Sequence, residues 1–139
     1  MSSSLPYPSA NGASPPPPRA RRILVVDDDP GLNRLVRAIL RSAGFDVTTA
    51  ADGRQALAIA LAQHFDAVVL DLLMPELDGR GFFREFRAAG ETSPVLIVSA
   101  YGAHDAQREL GAEGSITKPF DPEVLLHTLD NLLVPTETT

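Results

Sequence analysis

Cysteine is absent from the 139 residues, so disulfides, thiolate metal sites and cysteine nucleophiles are excluded together. The absence fits a reducing compartment. Tryptophan is also missing, and no apolar run approaches the roughly 18 residues needed to cross a bilayer, which argues against a membrane role. Met1–Ala20, rich in serine and proline, has no apolar leader core, so a cytoplasmic location is expected. It reads as a disordered tail with too little to bury. Positive charge is scarce: the net charge of −6 argues against general nucleic-acid binding. Lysine is scarcer still, since Lys118 is the only one among twelve basic residues. A chain that uses arginine everywhere else marks Lys118 as a place where a compact ammonium is needed.

What is present is one domain's worth of alternating patterns. Short apolar runs at 22–26, 46–49, 67–70, 95–99 and 114–116 read as strands. Between the first two, Leu32, Leu35, Val36, Ile39 and Leu40 form the stripe of an amphipathic helix, capped by Asp29, with Pro30 as its first residue and Gly44 as its stop. Leu57, Ala60 and Leu61 mark a second helix and Phe82, Phe83 and Phe86 a third. A fourth, near His104–Leu110, has few apolar residues and should be the least stable. The last carries Val124, Leu125, Leu129, Leu132 and Leu133 behind Asp121 and Pro122. Strands apolar on both faces and separated by helices predict an α/β fold, a doubly wound five-stranded parallel sheet flanked by five helices. In such sheets ligands bind beyond the carboxyl ends of the strands.

Those ends carry the chemistry. "ILVVDDDPG" closes the first strand with three aspartates, two of which, Asp27 and Asp28, the helix cap does not explain. "VVLDLLMPELDG" places Asp71 after the third strand, "LIVSAYG" puts Ser99 at the end of the fourth, and "SITKPF" brings in Lys118. Gathered like charges call for a cation, and carboxylates with room for water suit Mg²⁺. A carboxylate beside such an ion can attack phosphorus, with the metal, Lys118 and Ser99 meeting the developing charge. His64, His104 and His127 each stand without a carboxylate partner at ligand spacing, which leaves them surface or packing roles.

In this order and spacing the four motifs resemble the receiver domain of bacterial two-component response regulators, of the CheY-like single-domain type, over residues 21–134. The resemblance implies a flavodoxin-like strand order 2-1-3-4-5 and a cis Lys118–Pro119 bond. It makes Asp71 the acceptor of a phosphoryl group from a sensor-kinase or phosphotransfer histidine. Mg²⁺ would be held by Asp28, Asp71 and the Leu73 backbone carbonyl, with Asp27 acting through water. Lys118 would contact the phosphoryl oxygens and Ser99 would be the switch hydroxyl. The chain would then be a signalling protein and not a conventional enzyme.

Its output would come through the fourth helix, fifth strand and fifth helix, by binding a downstream protein, by phosphorylation-dependent homodimerisation or by relay. Only "PTETT" follows Val134, so residues 135–139 read as a short tail with no output domain. One departure stands out, because the family's usual aromatic three residues before the lysine is Ser115 here. Tyr101 could take its place, or act with the bulky Leu73 to shield an acyl phosphate from water.

Three other readings are weaker. A haloacid-dehalogenase-type phosphatase needs an acid where Leu73 stands. A nucleotide or flavin binder needs glycines where the aspartates cluster. A receiver-like adaptor that is never phosphorylated leaves the complete acidic set without a use.

Overall fold

The structure, a computed structural model, describes residues 20–74 and 76–133. The tails expected at 1–20 and 135–139 lie outside them apart from Ala20. Ten elements alternate: β1 (Arg22–Val26), α1 (Pro30–Ser42), β2 (Asp46–Ala50), α2 (Gly53–Ala62), β3 (Ala67–Leu70), α3 (Gly79–Ala88), β4 (Val95–Ser99), α4 (Ala103–Leu110), β5 (Gly114–Thr117) and α5 (Pro122–Leu133). All strand pairings are parallel, and the order is β2-β1-β3-β4-β5. The expected fold and order are both observed.

Strand periodicity divides the core between two faces. Leu24 and Val26 of β1 turn toward α2, α3 and α4, where Ala56, Ala60, Phe82, Phe86 and Ala106 cover them. Ile23 and Val25 turn toward α1 and α5, against Val36, Leu40, Leu125 and Leu129. Because α2 presents glycine and alanine inward, it packs close. A Cβ at Gly53 would run into the Leu77 backbone.

Three residues assigned to the apolar stripes are exposed instead: Leu35 at 54%, Leu61 at 49% and Val124 at 45%. A helix resting on a sheet buries a narrow arc, and on α1 that arc is Asn33, Val36 and Leu40. Leu35 lies roughly 130° around the helix from its centre. The helix punctuation does match the sequence. Asp29 Oδ1 accepts from the Gly31 and Leu32 amides at the start of α1, and Gly44 adopts the left-handed region (φ 95°) after its end. At the amino edge of the sheet, Arg21 Nη1 donates to the Leu133 carbonyl at 2.9 Å, so the start of β1 and the end of α5 meet.

Candidate functional site

The sheet ladder continues one residue past the strands and fixes Asp27, Asp71 and Lys118 at its carboxyl edge. The Asp27 amide donates to Ala50 O at 3.1 Å, the Asp71 amide to Val26 O at 2.9 Å and the Lys118 amide to Ser99 O at 2.9 Å. Strand order reverses between β1 and β3, so Asp27 and Asp71 face each other across the switch point.

There the side chains converge. One carboxylate oxygen each from Asp27, Asp28 and Asp71 lies within 4.8 Å of the others, with Asp27 and Asp71 buried and Asp28 exposed. Lys118 Nζ donates to Asp27 Oδ2 at 2.8 Å and lies 3.5 Å from Asp71 Oδ1. The other oxygen of Asp27 accepts from the Asp29 amide at 2.9 Å. Three negative charges therefore face one ammonium, which leaves room for a divalent cation.

Charge and burial tune the groups. Burial first, and then the Asp27 carboxylate, push the Asp71 carboxyl above its ordinary range, against the pull of Lys118. Burial would lower the Lys118 ammonium, but the hydrogen bond and charge of Asp27, followed by Asp71, overcome it and hold that group above its usual value.

The Ser99 hydroxyl, 1% exposed, is buried without a hydrogen-bond partner at the end of β4. Leu73 and Tyr101, at 66% and 80% exposure, stand out from the loops after β3 and β4. Ser115 sits in β5, and its hydroxyl donates to Gln107 Oε1 of α4 at 2.8 Å. The Lys118–Pro119 bond is cis, as expected. One expectation fails: His64 does have a carboxylate partner. The short strand entry after α2 folds its Nε2 to 3.5 Å from Asp66 Oδ1, at the sheet edge opposite the acidic cluster. Among the described residues His127 is paired only with Asn131, at 3.4 Å.

The comparisons with known proteins agree with this geometry. Residues 23–130 match the family model of the response regulator receiver domain. The chain belongs to the receiver family. A receiver is the signalling module of a two-component system. Among its relatives, the probable transcriptional regulator ycf27 of Cyanophora paradoxa is 40% identical over 115 residues, which cover 80% of this chain and 47% of that one. The receiver thus spans about half the length of that relative.

Two solved structures superpose closely. Chemotaxis response regulator CheY4 of Vibrio cholerae has a TM-score of 0.78 at 35% identity, covering 83% of this chain and all of its own. The receiver domain of sensor histidine kinase PA1611 from Pseudomonas aeruginosa PAO1 has a TM-score of 0.78 at 32% identity, covering 84% and 100%, and carries a magnesium ion in its active-site cleft. No helix among the described residues of this receiver is long and apolar enough to cross a membrane.

Sequence reasoning passed over three residues. Gly79 lets the start of α3 close on the acidic loop: its amide donates to Leu72 O at 3.0 Å, and a Cβ there would strike the Asp71 carbonyl. Its position at a helix start hides this contact. Gln107 looks like an ordinary surface residue of α4 until the fold brings Ser115 to it. Asn33 carries a readable signal, a polar residue at i in an i, i+3, i+7 core arc, and its amide is buried.

Proposed function

We propose that this receiver is a phosphorylation switch in which Asp71 accepts a phosphoryl group from the histidine of a sensor kinase or phosphotransfer protein. The observation that carries the reading is the cluster of three carboxylates, two of them paired with Lys118, at the carboxyl ends of β1, β3 and β5.

The donor set fits a hard divalent ion. Asp28 and Asp71 with the Leu73 carbonyl would hold Mg²⁺, and Asp27, already engaged by Lys118 and the Asp29 amide, would act through water. When bound, the ion supplies charge neutralisation at the phosphoryl oxygens. The Asp71 carboxylate then forms a bond to phosphorus as the phosphorus–nitrogen bond of the donor breaks. The electron pair stays on the imidazole nitrogen, which takes up a proton. Lys118 is free to turn from the carboxylates to the new phosphoryl oxygens. The unpartnered Ser99 hydroxyl is the donor that can follow it, and Ser99 lies on β4 next to Thr117 of β5 in register.

That shift biases α4, β5 and α5. α4 is weakly held: Gly102 at its start gives no side-chain cap, and its only buried residues are Ala103 and Ala106. Its face would dock a downstream protein or a second copy. Transcriptional control belongs, by name, to longer relatives such as ycf27, and a link of this receiver to such an output is part of the same proposal.

Intact mass after incubation with a small acyl-phosphate donor tests the reading. One phosphoryl adduct that requires both Mg²⁺ and Asp71, and is lost in Asp71→Asn, is the expected result. Absence of an adduct from the folded, Mg²⁺-binding protein would favour the unphosphorylated adaptor.

A further inference from the structure

We infer that Asn33 is the positioning residue of the acidic cluster, fixing the β1–α1 turn that aims Asp27 and Asp28; as a statement about Mg²⁺ it rests on the reading above. Asn33 lies one turn inside α1, in the arc that faces the sheet with Val36 and Leu40, and is 8% exposed. Val36 and Leu40 fill that arc with apolar groups. Asn33 instead turns Nδ2 to two main-chain carbonyls, Asp27 O at 2.7 Å and Ala50 O at 3.3 Å. Its Oδ1 is buried with no partner. An orphaned buried acceptor is unfavourable, so the amide is not explained by packing or by its own hydrogen bonding. What it secures is the peptide before Asp28.

The Asp27 residue is then held on every side. Its amide donates to Ala50 O and its carbonyl accepts from Asn33. Its carboxylate oxygens are engaged by the Asp29 amide and by Lys118. Asp28 follows directly. Among the described residues no hydrogen bond or ion pair holds its exposed carboxylate, so the main chain alone aims it. Releasing the Asp27 carbonyl therefore frees Asp28 to swing away from Asp71. Loss of such supporting contacts typically weakens metal binding 10- to 100-fold.

The test titrates MgCl₂ into the ¹⁵N-labelled full chain and follows the amide shifts of residues 27–29 and 71–73. Asn33→Ala leaves a void and Asn33→Leu fills it, yet both lose the donor. Val36→Ala loosens the same arc of α1 and keeps the donor. The expected result is an apparent Mg²⁺ Kd raised at least tenfold, to a similar degree, in both Asn33 variants and unchanged within twofold in Val36→Ala. Without Mg²⁺, the Asp27 and Asp29 amides should exchange with solvent faster in both Asn33 variants than in Val36→Ala. Wild-type affinity in a folded Asn33 variant, or affinity that simply follows melting temperature across all three, would overturn the inference. A wild-type chain without any Mg²⁺ response would defeat the phosphorylation reading instead, and the exchange measurement would still decide whether Asn33 holds the turn.

Discussion

Replacing Asp71 by asparagine should make the ion-free protein more stable at neutral pH, even though it removes the proposed phosphoryl acceptor. The Asp71 carboxylate lies within 4.8 Å of both Asp27 and Asp28. At an effective dielectric of about 20 each of these pairs repels by about 3.5 kcal/mol. Lys118 Nζ, 3.5 Å from Asp71 Oδ1, returns about 4.7 kcal/mol. Solvent screening at the exposed Asp28 trims the repulsion, while burial of Asp71 adds to it, which leaves about 2 kcal/mol against the ionised carboxylate.

Asparagine keeps the shape and removes that term. With about 2.1 cal/mol/K of unfolding entropy per residue over about 110 folded residues, the gain corresponds to about 9 °C in Tm. The pH dependence has a definite sign. Because the folded-state pKa of Asp71 is raised, the folded protein holds that proton more tightly than the unfolded chain. Its stabilising contribution is complete below the ordinary value of 3.8 and is lost as pH rises through the raised one. The advantage of Asp71→Asn should therefore grow as pH rises through the raised value and vanish as pH falls toward 3.8. Excess MgCl₂ should narrow it, since binding to the folded wild type raises the wild-type Tm. Thermal melts by circular dichroism in EDTA, across this pH range, measure it. An asparagine variant that melts at or below the wild-type temperature at neutral pH would refute the electrostatic reasoning.

Four further outcomes are expected. Gly79→Ala should destabilise by about 1–3 kcal/mol in urea titration and slow phosphorylation, because the new Cβ meets the Asp71 carbonyl and lies 2.7 Å from Leu72 Cα. Glu76→Gly should raise stability by about 1 kcal/mol, since Glu76 occupies the left-handed region at φ 68°; unchanged urea midpoints would argue against strain there. Gln107→Leu should leave global stability within about 1 kcal/mol while speeding amide exchange along α4, which loses its contact with Ser115. Leu73→Asn should shorten the lifetime of the phosphorylated form, measured by loss of the adduct mass over time; an unchanged lifetime would remove Leu73 as a shield.

The sequence exposes the strands because β1, β3 and β4 are buried on both faces and read as short apolar runs rich in valine and isoleucine. The carboxyl-edge rule then gathers Asp27, Asp28, Asp71, Ser99 and Lys118 without coordinates. What it hides is set by contacts between distant segments. Asn33 matters through carbonyls 6 and 17 residues before and after it, and Gln107 through a serine that only the α4–β5 turn delivers. Helical periodicity also overstates burial: it marks Leu35, Leu61 and Val124 as apolar without knowing how wide a strip the sheet covers.

The hydrogen bond from Arg21 to Leu133 gives the fold a modular character. The start of β1 and the end of α5 share one corner, a full strand of five residues, about 17 Å, from the acidic cluster. A neighbour joined just before Arg21 or just after Leu133 loads that corner and leaves the acidic edge untouched. The same closeness makes the domain a candidate for circular permutation: a short linker could join Leu133 to Arg21, with new ends opened at the exposed Gly90 turn. Such a permutant would keep every strand neighbour, and with them the alignment of the acidic cluster, with its new ends still on the amino edge, where Thr92, Ser93 and Pro94 lie beside Arg21 and Leu133.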